Sequence, residues 1–392
     1  MRRKRTAVAM AAVLAAAAIA ATGQDAATTN APAAPAASTV AAPATALPAL
    51  LPWRDHVKLG GDLRYRYQST DTEGKADQPR VRQRVRARIN LDAEINEQVT
   101  AGMQLATGTD KDPVSQNQTL SGAADDKDVW FNRAFIDWSP REDTHVIGGK
   151  MGMPWISVND LVHSLDYNPE GLAATYRADA GPVTLNLSGY YMVITEQSTA
   201  EDTSMQGAQG AAKLPLPLKA SLTTGASLFN YSNIKDYGPF YGNGFGNTTY
   251  TVETADGETS YRYASDFNEV EGFAELALSQ IPLKLSGQYV VNTESDNNDA
   301  GYVLGAAFGK CSAPGTYSLT YAYRHLEPDC VFDVFAENTD TGVGTDVESH
   351  LVSASYAPMK NTTLKVAYSM GEQGLDNGID VTNLKVEFLV KF

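Results

Sequence analysis

Apolar and polar residues alternate along the last nine residues of the chain, and no other sequence feature limits the possible folds as strongly. Side chains of a β-strand point to opposite faces in turn, so this pattern predicts a strand with one apolar face and one largely polar face. Leu389 is the one apolar residue on the polar face. The apolar face consists of Leu384, Val386, Phe388, Val390 and Phe392.

The same alternation recurs in sixteen segments from Leu51 onward, without a continuous apolar run long enough for a membrane-spanning helix. A β-barrel in lipid uses only every second residue for its lipid face. We therefore predict an all-β fold, a transmembrane antiparallel β-barrel of sixteen strands. Segments 143–151 and 205–214 are rich in small residues and leave fourteen or eighteen strands as alternatives. The predicted segments are 55–68, 82–95, 98–108, 129–139, 143–151, 171–179, 182–193, 205–214, 218–230, 267–279, 282–292, 301–310, 316–326, 347–356, 362–370 and 380–392.

The links between these segments alternate between short turns with Pro, Gly or Asn and longer polar stretches. Outer-membrane barrels have short periplasmic turns and longer extracellular loops. A soluble β-sandwich has no reason to sort its links in this way. The alternation therefore favours a barrel in the bacterial outer membrane. The longer links are 69–81, 109–128, 152–170, 194–204, 231–266, 293–300, 327–346 and 371–379.

The first fifty residues contain two segments without barrel character. Residues 1–23 have a basic start, an apolar run and then small residues, which predicts a signal peptide, with an N-terminal membrane anchor as the alternative. Residues 24–50 are almost entirely Ala, Pro, Thr, Ser and Val, which predicts a disordered tether. The barrel is expected over residues 51–392. The formal net charge of −15 at pH 7 disfavours nucleic acid as a partner.

Seven arginines lie on the polar faces of the first, second and fourth segments. In lipid each would cost about 2–4 kcal/mol at mid-depth, and unpaired like charges in a dry core would cost more. A water-filled lumen avoids both costs, so we predict that these side chains line a pore and give it a preference for anions. The predicted pore-lining residues are Arg64, Arg66, Arg82, Arg84, Arg86, Arg88 and Arg133.

The link near 152–170 combines carboxylates with apolar residues that include Trp155 and Leu161. A segment with so many apolar residues is poorly suited to water, so we predict that it folds into the lumen and forms a constriction opposite the arginines. The alternatives are a cap over the outside of the barrel or packing on a neighbouring subunit. The predicted acidic residues of the constriction are Asp160, Asp166 and Glu170.

The chain resembles the putative porin family of bacterial outer membranes and, more broadly, the sixteen-stranded trimeric porins. The resemblance lies in the C-terminal alternation, in the sequence NPEGL at 168–172, and in VFDVF at 331–335 followed by TDTG at 339–342. It covers residues 51–392. It implies passive diffusion of small hydrophilic solutes, a homotrimer, and recognition of the C-terminal pattern by the barrel-insertion machinery. Outer-membrane lipid and lipopolysaccharide are the expected surroundings.

Three classes of function are compatible with a barrel. The first is a diffusion channel, or a narrower channel selective for anions such as phosphate, because arginine ladders suit oxyanions. The second is a non-channel adhesin or structural anchor that uses the Tyr-, Gly- and Asn-rich link 231–266. The third is an enzyme, which is disfavoured because no hydrolase or metalloprotease motif is present and the five histidines have no readable catalytic partners. We expect no cofactor and no metal.

Cys311 and Cys330 are the only cysteines. The predicted segments place them at opposite ends of one strand, about 30 Å apart. A disulfide requires Cα atoms within about 7 Å. The sequence therefore disfavours a disulfide, unless the link that contains Cys330 folds deeply inward.

Overall fold

The computed structural model describes residues 56–110, 112–199, 201–242, 244–253, 257–376 and 378–392. The predicted signal peptide (1–23) and tether (24–50) lie outside these residues. Within them the chain forms nineteen strands, and no helix there is long and apolar enough to cross a membrane. The strands are β1 (Val57–Thr72), β2 (Arg80–Asn96), β3 (Val99–Thr107), β4 (Gln118–Thr119), β5 (Val129–Arg141), β6 (Thr144–Lys150), β7 (Glu170–Ala180), β8 (Val183–Thr195), β9 (Thr203–Leu216), β10 (Ala220–Ser232), β11 (Thr249–Glu253), β12 (Thr259–Tyr263), β13 (Asn268–Leu278), β14 (Leu283–Asn292), β15 (Ala300–Gly309), β16 (Tyr317–Leu326), β17 (Val347–Tyr356), β18 (Thr362–Gln373) and β19 (Ile379–Lys391).

Sixteen of these strands form a closed antiparallel barrel, which confirms the predicted fold class and strand number. Each barrel strand pairs with its neighbours in chain order, and β1 pairs with both β2 and β19. The seam between the first and last strands is in register from Asp62 opposite Lys391 to Thr72 opposite Val381. Closure leaves no strand edge with unpaired backbone groups, as a barrel in lipid requires.

Three strands lie outside this simple order, and none of them was predicted. β4 has two residues and pairs with β2 at Arg84 and Val85. β11 and β12 form a separate hairpin within the link 233–267. All three are short strands that depend on tertiary context, and such strands show little periodicity in sequence.

Several barrel strands extend beyond their predicted ends. β1 continues to Thr72 although its apolar alternation stops near residue 68, because it still pairs with β19 there. Pro215 was assigned to a turn but belongs to β9, opposite Ser221 of β10. It lies one residue from the end of its strand, where the missing N–H of proline is tolerated. Backbone pairing therefore extends further than the side-chain pattern that predicts it.

The links divide the barrel into two rims, as predicted. The links 97–98, 142–143, 181–182, 217–219, 279–282, 310–316 and 357–361 form the short-turn rim. The four longest links all lie at the opposite, long-loop rim; they are 108–128, 151–169, 233–267 and 327–346.

The outward face of the barrel is apolar and exposed, and its polar residues point inward. In β19, Val386 and Phe388 are exposed, whereas Asn383, Lys385 and Glu387 between and beside them are buried. Aromatic residues are also exposed on the outside; they include Tyr65, Trp138, Tyr191, Tyr289, Tyr317 and Phe392. This distribution is the reverse of a soluble protein and suits a barrel surrounded by hydrocarbon.

The seam that closes the barrel depends on a glycine. Gly61 in β1 exchanges two backbone hydrogen bonds of 3.0 Å with Phe392. A Cβ atom at this position would lie 2.3 Å from the carbonyl oxygen of Arg88 and 2.6 Å from the ring of Phe392. Only glycine therefore permits the aromatic ring to lie against this part of the seam.

Replacing Leu304 by Arg tests the lipid assignment of the outward face. Leu304 lies in the middle of β15 and is half-exposed. We expect the arginine to reduce the free energy of unfolding in lipid vesicles by about 2–4 kcal/mol, because the charge would lie in hydrocarbon. Urea titration measures this change. The matched control is Leu218→Arg in a short turn, and an equal loss in both variants would contradict the assignment.

Candidate functional site

Strand register brings the predicted arginines together on the inner wall of β1 and β2. Because the two strands are antiparallel, Arg64 lies opposite Arg86 and Arg66 lies opposite Arg84. Neighbouring residues of this inward face continue the pattern, with Asp62 opposite Arg88 and Gln68 opposite Arg82. The two strands therefore form one cationic surface, which we call the basic wall.

The half of this wall nearer the short-turn rim contains its own counter-ion. The Asp62 carboxylate accepts hydrogen bonds from Arg86 Nη2 at 2.9 Å and from Arg88 Nε at 2.7 Å. Asp62 and Arg86 are both buried. One carboxylate thus bridges two guanidinium groups and neutralises part of their charge. We call these three residues the Asp62 cluster.

The half nearer the long-loop rim is less well neutralised. Glu387 on β19 accepts a hydrogen bond from Arg66 Nε at 2.5 Å and lies 3.6 Å from Arg64 Nη1. Among the described residues, no carboxylate lies within ion-pair distance of Arg82 or Arg84. Positive charge therefore exceeds negative charge in this half. We call Arg64, Arg66, Gln68, Arg82 and Arg84 the donor cluster.

The segment 151–169 contacts the inner wall at several heights. Asp166 lies 3.7 Å from Arg86 Nη1 and 3.5 Å from Arg88 Nη1. Asp160 accepts a hydrogen bond of 2.5 Å from Arg324 Nη2 on β16. Two of the three predicted acidic residues thus face cationic groups of the barrel interior, on different sides of it.

Glu170 is not part of this segment, although it was predicted to be. It is the first residue of β7, its side chain is 62% exposed, and it pairs with Lys150 on β6. The strand begins one residue earlier than expected because Glu170 already pairs with Lys150 in the β6–β7 ladder. The structure therefore separates Glu170 from Asp160 and Asp166.

Arg133 on β5 occupies the inner wall on the other side of the Asp62 cluster. Its Nε donates a hydrogen bond of 2.5 Å to Asn168 Oδ1. A cavity of about 460 Å³ lies between this residue and β1, with Arg88, Asn90 and Gln104 among its lining residues. Both Arg88 and Arg133 thus border open space inside the barrel.

A second segment inside the barrel, 112–119, was not predicted. Ser115, Gln116 and Asn117 are buried. Asn117 Oδ1 accepts a hydrogen bond of 2.7 Å from Arg64 Nη2, and Gln116 Oε1 accepts one of 3.3 Å from Arg88 Nη1. This segment therefore covers the basic wall with neutral polar groups. Its polar sequence resembles that of any exposed loop, so only the arginines it meets indicate its position.

A third segment, 327–346, crosses to the wall formed by β18 and β19. Asp340 pairs with Lys385, and the Asn383 side chain donates a hydrogen bond of 2.9 Å to the carbonyl oxygen of Thr339. Burial alone would raise the pKa of Asp340, but the attraction of Lys385 and Arg324 holds it below its usual value. The apolar sequence VFDVF at 331–335 was the available sequence signal for this inward course.

Apolar packing between these segments fills the opposite side of the barrel. Trp155 and His163 of segment 151–169 pack on Phe229 of β10, with ring centroids 5.3 and 4.8 Å apart. Tyr167 stacks on Phe335 at 4.3 Å. Burial lowers the pKa of His163 to about 3, so this imidazole is neutral at neutral pH. Side chains of two inward segments thus pack against β10 and against each other.

Glu269 and Glu271 on β13 face inward but do not line open space. Both side chains are buried. Glu269 Oε1 accepts a hydrogen bond of 2.7 Å from the backbone N–H of Phe332, and Glu271 accepts one of 2.5 Å from Ser227 Oγ. The sequence shows an inward-facing strand but not that segment 327–346 covers it.

Ser139, His145 and Asp137 lie together near the short-turn rim, a grouping that the sequence did not predict. Ser139 Oγ lies 2.9 Å and Asp137 Oδ2 3.0 Å from Nδ1 of His145. A catalytic relay requires the serine and the carboxylate to meet different ring nitrogens. Here both meet the same nitrogen, so the grouping lacks the geometry of a triad. Over the described part of the chain, no set of three or more potential ligands is arranged to hold a metal ion.

Cys311 and Cys330 are both free thiols. Cys330 is buried within segment 327–346, whereas Cys311 lies at the short-turn rim. The inward course of the Cys330 link therefore does not bring the two cysteines together.

Replacing Asp62 by Asn tests the Asp62 cluster. Arg86 and Arg88 would lose their shared counter-ion, and we expect the free energy of unfolding to fall by about 3–5 kcal/mol, as for other broken buried ion pairs. Urea titration in lipid vesicles measures the change. The control is Asp179→Asn, whose exposed partner Arg177 is 3.8 Å away. Equal effects in both variants would show that the Asp62 contacts contribute nothing.

Replacing His163 by Phe tests the packing of segment 151–169. The folded pKa of His163 lies below its usual value of 6.5, so the released segment binds more protons between about pH 6.5 and 3. We therefore expect the protection of the amides of residues 152–169, measured by hydrogen exchange and corrected for the intrinsic exchange rate at each pH, to fall as the pH falls through this range in the wild type. The loss of protection should be smaller in His163→Phe, and in the outward-facing control His350→Phe it should equal that of the wild type. Identical pH profiles for all three proteins would refute the assignment.

Comparison with known structures shows similarity to porins over most of the chain. The structure of OprB from Pseudomonas putida at high pH aligns with a TM-score of 0.55 and 9% identity, covering 86% of this chain and 94% of OprB. OmpF of Salmonella typhi in complex with daunomycin aligns with a TM-score of 0.52 and 12% identity, covering 86% of this chain and 97% of OmpF. A loop L8 deletion mutant of OmpT, an outer membrane protein of Vibrio cholerae, aligns with a TM-score of 0.50 and 12% identity. This alignment covers 86% of this chain and 99% of the mutant. At these identities the similarity establishes the fold.

A comparison with curated proteins found no match. A model of the family described as "Putative porin" matches residues 70–238 and 261–392, which together make up most of the barrel. The matched residues include the β2 part of the basic wall, segment 151–169 and segment 327–346. The family and the fold together indicate a porin-type channel rather than an enzyme. The chain belongs to the putative porin family.

Proposed function

We propose that this protein is an outer-membrane porin through which small hydrophilic solutes diffuse passively, with a preference for anions. The observation that carries the proposal is the excess of positive charge on the inner wall of a closed barrel. Arg82 and Arg84 have no carboxylate partner among the described residues, and Arg64 and Arg66 share one. Such a wall attracts anions and repels cations in a narrow aqueous passage.

The route of diffusion follows from what fills the barrel. Apolar packing around Trp155, Phe229 and Phe335 occupies the side of β8–β10 and β13–β16. The basic wall on β1 and β2, together with Lys365 and Lys385 on β18 and β19, borders the other side. We propose that solutes pass along this wall, between it and the inward segments.

The constriction in this proposal lies between the basic wall and segment 151–169. Asp166 approaches Arg86 and Arg88 to within 3.7 Å, which supports a narrow point at the Asp62 cluster. Carboxylates on one side and guanidinium groups on the other create a transverse field that favours polar over apolar solutes. Selectivity between anions and cations then depends on groups whose charge is not already cancelled. These are Arg82 and Arg84 rather than Arg86 and Arg88.

The arrangement of the rims supports a definite orientation in the outer membrane. We propose that the short-turn rim faces the periplasm and the long-loop rim faces outward, with lipid and lipopolysaccharide around the barrel. A homotrimer is the proposed assembly, on the basis of the resemblance to trimeric porins. The outward residues of β19 and the exposed Phe392 are the proposed signal for the barrel-insertion machinery; they are Leu384, Val386, Phe388, Val390 and Phe392.

Replacing Arg82 and Arg84 by Ser tests the anion preference. The double variant removes two uncancelled charges, so we expect the ratio of chloride to potassium permeability to fall by about threefold or more. Reversal potentials of the protein in planar bilayers, measured in a KCl gradient, give this ratio. The control is Arg177→Ser, which removes an exposed charge near the short-turn rim. If the wild type gives no discrete conductance steps, the protein is not a channel. If the wild type and the double variant have equal reversal potentials, Arg82 and Arg84 do not contribute to selectivity.

A further inference from the structure

The donor cluster contains an unusual concentration of buried nitrogen atoms without acceptors. Five of its N–H groups have no hydrogen-bond partner in the described structure. Register places their residues side by side, with Arg66 opposite Arg84 and Gln68 opposite Arg82. The five atoms are Arg64 Nε, Arg66 Nη1, Gln68 Nε2, Arg82 Nε and Arg84 Nε.

These atoms are enclosed by protein. Arg66 is 6% exposed and Gln68 is 1% exposed. A buried donor that lacks an acceptor costs about 1–3 kcal/mol, and more when it carries charge. Several such donors in one place are therefore costly unless a group with several acceptor oxygens can enter.

The surrounding protein groups satisfy this cluster only in part. Ser115 Oγ and the carbonyl oxygen of Asn117 accept long hydrogen bonds of 3.4 and 3.3 Å from Arg84 Nη2. Gln68 Oε1 accepts another of 3.4 Å from Arg84 Nη1, which leaves its amide nitrogen free to donate. All three acceptors contact terminal nitrogens of Arg84. The Nε atoms of Arg64, Arg82 and Arg84 have no acceptor.

The charge of the cluster selects the kind of acceptor. It contains four guanidinium groups, and Glu387 is the one carboxylate within 4 Å of any of them among the described residues. Guanidinium groups bind oxyanions through parallel N–H···O bonds, which a monatomic anion cannot match. The neutral amide of Gln68 adds a donor without charge. The cluster thus combines net positive charge with donors on two neighbouring strands.

We propose that the donor cluster is a binding site for a small multivalent oxyanion such as inorganic phosphate or sulfate. The site lies nearer the long-loop rim than the Asp62 cluster, so an anion that enters from this rim reaches it before the constriction. The proposal rests on the proposed function, because the site would retain or concentrate oxyanions on their way through the channel. It adds a defined ligand class and a defined position to a general preference for anions.

Block of the chloride current by phosphate tests this site. The protein is reconstituted in planar bilayers in KCl, and inorganic phosphate or sulfate is added on the side of the long loops. We expect either anion to reduce chloride conductance in the wild type. The concentration of phosphate that halves the current should rise about fivefold or more in Gln68→Leu and in Arg84→Ser, because each removes donors of the site. Gln68→Leu removes no charge, so its effect reports hydrogen bonding and not the general field.

Two controls and an independent measurement complete the test. The controls are Gln206→Leu on the outward face and Arg177→Ser near the short-turn rim. Phosphate should halve the chloride current of both variants at the same concentration as in the wild type. Calorimetric titration of detergent-solubilised protein with phosphate should show binding that weakens in the same two variants, and it applies equally to a variant that inserts poorly into bilayers.

The outcomes separate the site from the channel. An anion-selective wild type that neither phosphate nor sulfate blocks would overturn the site and leave the proposed function intact. Loss of block in Arg84→Ser but not in Gln68→Leu would also overturn it, because charge alone would then explain the effect. A wild type without any anion preference would overturn the proposed function.

Discussion

The antiparallel pairing of β1 with β19 is the constraint on which the rest of the structure depends. It joins residues more than 300 positions apart and removes the last strand edge, which hydrocarbon would not tolerate. Because side chains alternate along each strand, closure also assigns every residue to lipid or to the interior. The same pairing brings Glu387 of β19 to Arg66 of β1, so the charge balance of the interior depends on the seam as well.

Closure of the barrel alone does not make one half of its interior apolar and the other polar. The inward segments create this asymmetry. Trp155, Tyr167 and Phe335 pack with the inner residues of one half of the barrel and exclude water there. Polar residues such as Asn117 approach the other half and leave its arginines partly solvated or partly unpaired. In the proposed channel, apolar burial therefore determines where the passage can run, and the charged residues determine which solutes pass. The two roles belong to different residues, so a substitution can alter one without the other.

The sequence predicted the strands because the alternation of apolar and polar residues is a local pattern. It predicted the inner arginines because they lie on the polar side of that alternation. Arg64 and Arg86 lie on polar faces whatever their neighbours are. It could not predict that Asp62 bridges Arg86 and Arg88, since this depends on the register between two strands. The inward course of segment 112–119 and the burial of Glu269 were also missed, because both depend on the volume enclosed by the closed barrel. The strand start at Glu170 is a smaller error of the same kind, set by pairing with β6.

The formal charge of −15 is compatible with the proposed preference for anions, because charge acts locally. In 0.15 M salt, exposed charges are screened beyond about 8 Å, so the carboxylates of exposed loops, such as Asp125 and Asp296, contribute little to the potential inside the barrel. Guanidinium groups on the inner wall border the proposed passage and lie beside low-dielectric protein, where their field is stronger. Pairing reduces the net charge of the inner wall further, because Asp62 neutralises part of the charge of Arg86 and Arg88. The proposed selectivity therefore depends on the few charges that are both inside and unpaired, and the acidity of the whole chain is no guide to it.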